Sequence, residues 1–358
     1  MKVAFRTDAS NQIGTGHFMR CLALAEGLKK QGADIRFISR DLPEHLSNML
    51  NTKDIKLVPL RAHDLEALID ELAHASWLGI SQAHDAKATV DALFGQVFDW
   101  IVVDHYALDS RWESIVRQHV KKIMVIDDLA DRHHDCDILL DQNYYTDMQV
   151  RYNDKVPAYC QLLLGPNYGL LREEFRALRE QVKVRNGEVK KVLVFFGGFD
   201  AKNYTFQAIE ALSEMNAGLQ VDVVIGAQHP FKELIENACV KYGYIYHLQT
   251  SRMAQLMLQA DLSIGAGGSA SWERCSLGLP SLLVSLADNQ IAIAKELAAA
   301  NACIYIGNGD TVNLLNLKKC LTELIANPEQ IRKISESAYL ITDGFGVLRV
   351  SNEMRICL

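Results

Sequence analysis

The chain predicts an α/β protein made of two doubly wound, Rossmann-like domains facing a cleft. Three observations carry that expectation. Strand-like and helix-like segments alternate along the 358 residues. The alternation is interrupted once, by a polar stretch at 182–191, and then restarts. The apolar strands end in polar or glycine-rich clusters, as they do where a parallel sheet presents its carboxyl edge to a ligand. The length suits two domains, expected at 1–182 and 190–358.

Residues 3–5 read as a strand and 18–31 as a helix, with Met19, Leu22, Ala23, Ala25 and Leu28 near helical spacing and Gly32 as the stop. A second strand is expected at 35–38, helices at 65–72 and 86–93, and apolar strands at 100–103, 123–126 and 138–140. The last three strands end at Asp104-His105-Tyr106, Asp127-Asp128 and Asp141. The stretch 182–191 is charged and glycine-containing and reads as a linker. Strands then follow at 192–196, 221–225, 245–248, 262–264, 281–284 and 303–306. Helices alternate with them at 205–212, 231–241, 253–259, 270–277 and 290–300, with Gly278 and Pro280 closing the fourth.

Composition narrows the function classes. Hydrophobic residues make up 49% and charged residues 23%, as in an ordinary globular protein, and the net charge of −7 disfavours nucleic acid as a partner. Eight cysteines are scattered without a C-x-x-C pair, which argues against a zinc ribbon or a redox motif and for a reducing compartment. With no signal-like segment and no apolar run long enough to span a bilayer, the reading is cytoplasmic, and a monomer is expected.

Between the first strand and helix runs Arg6-Thr7-Asp8-Ala9-Ser10-Asn11-Gln12-Ile13-Gly14-Thr15-Gly16-His17. Gly14 and Gly16 permit close ligand approach, and His17 carries the one side chain whose ordinary pKa suits proton acceptance near neutrality. Taken alone, the loop is equally a tight βα turn with an exposed histidine. It lacks the third glycine of the dinucleotide fingerprint, which disfavours a Rossmann oxidoreductase. In the second half, Gly265-Ala266-Gly267-Gly268-Ser269 follows a strand and opens a helix, an arrangement suited to phosphate. Ser269 is alternatively a plain N-cap. Glu273, one turn on, is either a dipole-stabilising carboxylate or an acceptor for ribose hydroxyls. Gly197-Gly198 forms a third glycine turn, a plain turn when taken alone, and with the previous loop it would clamp a diphosphate. Tyr106 is placed to reach substrate or is simply half-buried. The run Asp127, Asp128, Asp131, His133, His134, Asp135, Cys136, Asp137 matches no metal motif. It reads as a solvated loop with Asp127 or Asp128 touching the cleft, and no metal or cofactor is expected.

The opening Arg6-x-Asp8-x-Ser10-x-x-Ile13-Gly14-x-Gly16-His17-x-x-Arg20-Cys21-Leu22 resembles that of the nucleotide-sugar hydrolases of pseudaminic acid biosynthesis. So do Val103-Asp104-His105-Tyr106, Ile126-Asp127-Asp128, Cys136-Asp137-Ile138-Leu139-Leu140-Asp141-Gln142-Asn143 and Gly165-Pro166-x-Tyr168-x-Leu170-Leu171-Arg172-x-Glu174-Phe175. The second-half glycine turn and the Glu273 helix are shared with a wider group, the GT-B glycosyltransferases that include the lipid II-forming N-acetylglucosaminyltransferase. The resemblance implies a GT-B-like fold whose second domain binds UDP and whose first supplies the catalytic face. It implies release of UDP from UDP-2,4-diacetamido-2,4,6-trideoxy-β-L-altrose by water, with inversion. The catalytic histidine falls on His17. Substrate contacts fall on Asp8, Gly14, Gly16, Tyr106, Arg172, Gly197, Gly198, Gly267, Gly268, Ser269, Glu273 and Asn289. By analogy with last helices in GT-B folds, 344–349 is expected to cross back to the first domain. A GT-B transferase and a non-catalytic UDP-sugar sensor are the rival readings.

Overall fold

The computed structural model describes residues 1–10, 12–60, 70–215 and 218–358. Asn11 of the opening motif and 65–69 of the helix expected at 65–72 lie outside the described residues. The chain divides into two compact units. One comprises Met1–Asn143, Asp147–Leu170 and Gly346–Leu358; the other comprises Tyr144–Thr146 and Leu171–Phe345.

The first unit is built on seven strands: β1 (Lys2–Thr7), β2 (Asp34–Ser39), β3 (Lys56–Pro59), β4 (Phe98–Asp104), β5 (Val120–Ile126), β6 (Ile138–Asp141) and β7 (Gln161–Leu164). They pair in parallel in the order β3-β2-β1-β4-β5-β6-β7. Because side chains alternate across a strand, one face collects Val3, Phe5, Trp100, Val102, Met124 and Ile126. The other collects Ala4, Ile101, Val103, Ile123 and Val125. Both faces are buried, which is why these strands read as continuous apolar runs rather than as alternation. Leu24 and Leu28 of the Gly16–Lys30 helix cover the first face together with Val350 and Met354 of the Gly346–Ile356 helix. Ala86 of the Gln82–Ala92 helix and Trp112 of the Ser110–Val116 helix cover the second.

The second unit has six strands: β8 (Lys191–Phe195), β9 (Gln220–Ile225), β10 (Ile245–Leu248), β11 (Leu262–Ala266), β12 (Ser281–Ser285) and β13 (Ile304–Asn308). They too pair in parallel, in the order β10-β9-β8-β11-β12-β13. In each unit the chain starts on an inner strand, builds outward to one side, then returns to the other side of its starting strand. The reversal falls between β1 and β4 in the first unit and between β8 and β11 in the second. At such a point successive connections leave for opposite faces and open a crevice at the carboxyl ends of the strands.

Two expectations are corrected. The units do not divide at 182/190: residues 171–182 belong with the second unit, while the Gly346–Ile356 helix belongs with the first, as expected for a chain that crosses back near 344–349. Trp100 explains the latter assignment, since its buried indole N–H donates to the Met354 carbonyl at 2.9 Å. The stretch 182–191 is not a spacer. Arg185 donates to the carbonyls of Leu277 and Gly278, at 2.9 and 2.6 Å, and a Cβ on Gly187 would come within 2.0 Å of the Pro328 oxygen. The helices Leu314–Ile325 and Pro328–Ile341 complete the second unit and had no counterpart in the sequence reading.

Candidate active site

At the β1–β4 reversal of the first unit, the loop after β1 is tightened by its own serine. Ser10 Oγ accepts from the amides of Gln12 and Ile13, and its carbonyl accepts from the Gly14 amide at 2.8 Å. Gly14 has φ +78°, a conformation that strains any residue with a Cβ. This turn delivers Gly16 as the first helical residue and His17 as the second.

His17 Nδ1 lies 2.5 Å from Oδ1 of Asp104, the last residue of β4. One helical turn on, Arg20 grips the same carboxylate with both prongs, Nε to Oδ2 at 2.6 Å and Nη2 to Oδ1 at 2.7 Å. Its third nitrogen, Nη1, donates to Asp128 Oδ2 at 2.8 Å, and the Tyr106 hydroxyl donates to the other Asp128 oxygen. The Tyr106 ring packs edge-on against the imidazole, with centroids 4.5 Å apart. Burial pushes the Asp104 carboxyl up, but Arg20 and His17 more than reverse this and hold it well below the usual carboxylate range. Burial and Asp128 push the Tyr106 phenol well up, so it stays neutral and donates. An ionised Asp104 fixes the imidazole with its proton on Nδ1. Nε2 is then the lone-pair nitrogen, and it takes no hydrogen bond among the described residues. This arrangement can accept a proton at Nε2 and stabilise the imidazolium that forms.

Two stretches of the first half are placed by the fold, and the reading of one of them is corrected. Asp8 is fully buried. Its Oδ1 accepts from Arg6 Nη1 at 2.7 Å, Ser39 Oγ at 2.9 Å and the Arg40 amide at 2.7 Å, while Oδ2 faces His105 at 3.3 Å. Its Oδ1 ties down the end of β1. The polar run 127–137 is not a solvated loop throughout. Asp127 is buried against Arg132 and His134, and Asp128 is the member that joins the His17 cluster.

His134 makes this buried network pH-sensitive. Burial lowers its affinity for a proton, but Glu113 at 2.7 Å and Asp127 at 3.7 Å overcome that and raise it to about 9. A histidine raised on folding stabilises fully below its ordinary value, and the stabilisation is lost as pH rises through the folded value. Urea unfolding between pH 6 and 9.5 is therefore expected to show stability falling across this window. His134→Gln should flatten the decline, and an unchanged slope would assign it elsewhere.

The second unit places its glycine turns at its own reversal. Gly197 (φ +97°) follows β8, and the backbone of Gly198 passes so close to residue 226 that only glycine fits there: a Cβ on Gly226 would lie 2.2 Å from the Gly198 oxygen. Gly267 and Gly268 (φ +96°) follow β11 and are flanked by Gln290, whose Cβ lies 3.3 Å from where a Gly267 Cβ would sit. Ser269 occupies the N-cap position of the Ala270–Ser276 helix, but its side chain makes no capping bond. Glu273 accepts from Arg172 Nη2 at 3.3 Å, so these two predicted residues do meet. Asn289 is exposed at the start of the Asp288–Ala299 helix. Arg20 and Asp104 were not singled out as site residues from the sequence, and Asp128 was named only as the alternative to Asp127 at the cleft. The available signal was the i, i+3 spacing of His17 and Arg20, with both aspartates at strand ends.

Residues 191–343 match the glycosyltransferase family 28 C-terminal domain. Over its full length the structure is similar to the crystal structure of Acinetobacter baumannii MurG, with a TM-score of 0.65, 14% identity and 99% of each chain covered. The fold is GT-B-like. Among curated relatives, this GT-B-like chain is 27% identical to the UDP-2,4-diacetamido-2,4,6-trideoxy-beta-L-altropyranose hydrolase of Campylobacter jejuni, covering 83% of this chain and 96% of that one. It is 25% identical to the spore coat polysaccharide biosynthesis protein SpsG of Bacillus subtilis, covering 98% and 97%. Among the described residues, no helix is long and apolar enough to cross a membrane, and no three His, Cys, Asp or Glu side chains group as metal ligands.

Proposed function

We propose that this GT-B-like chain is a UDP-sugar hydrolase, acting on UDP-2,4-diacetamido-2,4,6-trideoxy-β-L-altropyranose or a closely related sugar. The observation that carries the reading is the His17–Asp104 pair at 2.5 Å, fixed from behind by Arg20. The first unit supplies the base: His17 Nε2 takes a proton from water as the water attacks the anomeric carbon. The carbon–oxygen bond to UDP breaks on the opposite face, giving inversion. UDP is a good leaving group, so the second unit's task is to stabilise negative charge, a role assigned to the amides of Gly197, Gly198, Gly267 and Gly268. Glu273 and Asn289 are assigned to the nucleoside and sugar hydroxyls, and Arg172 to holding Glu273. The similarity to the Campylobacter hydrolase supports the sugar.

The reading is tested by turnover in oxygen-18 water. Label is expected in the free sugar and none in UDP; label in UDP would mean attack at phosphorus. A second reading, transfer of the sugar to an acceptor, is favoured by the glycosyltransferase match at 191–343. Release of UDP and free sugar with water alone, followed by NMR over a panel of UDP-sugars, decides for hydrolysis. UDP release that requires an added acceptor decides for transfer.

A further inference from the structure

In the second unit, Arg274 is a fully buried cation whose side chain is bonded to no carboxylate among the described residues. Its Nη2 donates to the Ala266 carbonyl, at the end of β11, and lies 3.4 Å from Ser271 Oγ. Its Nε and Nη1 have no hydrogen-bond partner among the described residues. The guanidinium lies directly beneath the glycine loop: a Cβ on Gly265 would come within 3.0 Å of Arg274 Nη1 and 2.0 Å of the Phe195 oxygen. Gly265 therefore makes the room in which the charge sits, at the β8–β11 reversal. Burial pulls the group's proton affinity down to about 10, and nearby Glu273, engaged by Arg172, only partly offsets this.

A buried charge without a bonded counterion is destabilising, and removing it in favour of an apolar side chain of similar size is often neutral or stabilising. Retaining such a charge under a loop makes physical sense where an anion arrives to complete the pair. We propose that Arg274 is the charge-bearing positioning residue of the second unit. It holds the Ala266 carbonyl inward and supplies the positive potential for a diphosphate seated on 265–269, so the unliganded protein carries a destabilising charge that the ligand neutralises. This inference rests on the assignment of UDP to the second unit.

The test compares UDP, inorganic pyrophosphate and uridine by calorimetry and thermal melts, on the wild-type chain, Arg274→Met and Arg274→Lys. UDP is expected to bind Arg274→Met about 10- to 100-fold more weakly than wild type, through loss of the buried positive charge beneath the loop. Uridine binding should be unchanged, and the unliganded variant should melt no lower than wild type. Arg274→Lys, which keeps the charge, should retain most of the UDP affinity. Equal UDP affinity in Arg274→Met and wild type overturns the inference, as does a loss of uridine and UDP binding in parallel. Wild type that fails to bind UDP at all refutes instead the assignment of UDP to this unit. If Arg274→Met does not fold, the Arg274 Nε–H resonance of wild type, assigned through Arg274→Lys, decides. It should shift with UDP and pyrophosphate but not with uridine, and no shift overturns the inference.

Discussion

Replacing His17 with alanine is expected to lower turnover of the UDP-sugar about 10²- to 10⁴-fold, the usual contribution of a positioned general base. KM should change little, because Nε2 is assigned to the reacting water and not to the ground-state sugar. The helix should survive, since His17 is its second residue and, among the described residues, its side chain bonds only to the Asp104–Arg20 cluster. Stopped assays of UDP release on wild type, His17→Ala and His17→Gln check this. Glutamine fills the space without accepting a proton usefully, so both variants should be similarly slow. A near-normal rate in either removes His17 from the chemistry and leaves it as a structural partner of Asp104.

Asp104→Asn carries the second largest expected effect, on two observables. Asparagine cannot stabilise an imidazolium and can present its N–H₂ to Nδ1, favouring the wrong tautomer, so kcat should fall about 10²- to 10³-fold. It also leaves Arg20 without half of its ionic partners in a buried setting, which should lower stability by about 3 kcal/mol. The double variant separates the roles. Residues acting as a unit are non-additive, so His17→Ala with Asp104→Asn should be no slower than His17→Ala alone. Multiplied losses in kcat would show that Asp104 does something other than orient the histidine. The stability loss should appear in both Asp104 backgrounds.

Much of the architecture was legible because both sheets are parallel and buried on both faces, so their strands are apolar runs that stop abruptly. Val102, Val103 and then Asp104 form one such stop; Val125, Ile126 and then Asp127 form another. The stretches that went unread are those whose apolar signal is thin or shared. β3 is an edge strand of four residues ending in Pro59, where a missing amide is tolerated. The helix Pro328–Ile341 buries Ile331, Ile334 and Ala338 at helical spacing and starts from an Asn327-Pro328 cap, signals that were present but outweighed by its charged outer face. In the candidate site, His17 could be nominated because an imidazole carries its chemistry in its own side chain. Asp8 was nominated for the same reason, and only the fold reveals that Ser39 and Arg40, more than thirty residues away, bond to its Oδ1. Asp104 and Arg20 matter through whom they hold, and an ion pair spanning 84 residues has no local signature.

The Gly346–Ile356 helix bears on how the protein comes into being. Val350 and Met354 lie in the core of the unit that β1 begins, and Gly27 of the first helix is kept free of a side chain because a Cβ there would lie 2.3 Å from Val347 Cγ1. Domains in a multidomain chain ordinarily fold as units during synthesis, the amino-terminal one first. Here the first unit is not closed by its own early residues: it waits for the helix that covers Trp100, made after the whole of Leu171–Phe345. Until those residues emerge, an apolar stripe on the first unit stays open to water and to chaperones. A stall in translation beyond residue 345 would leave the nascent protein with its histidine in place and its core unsealed.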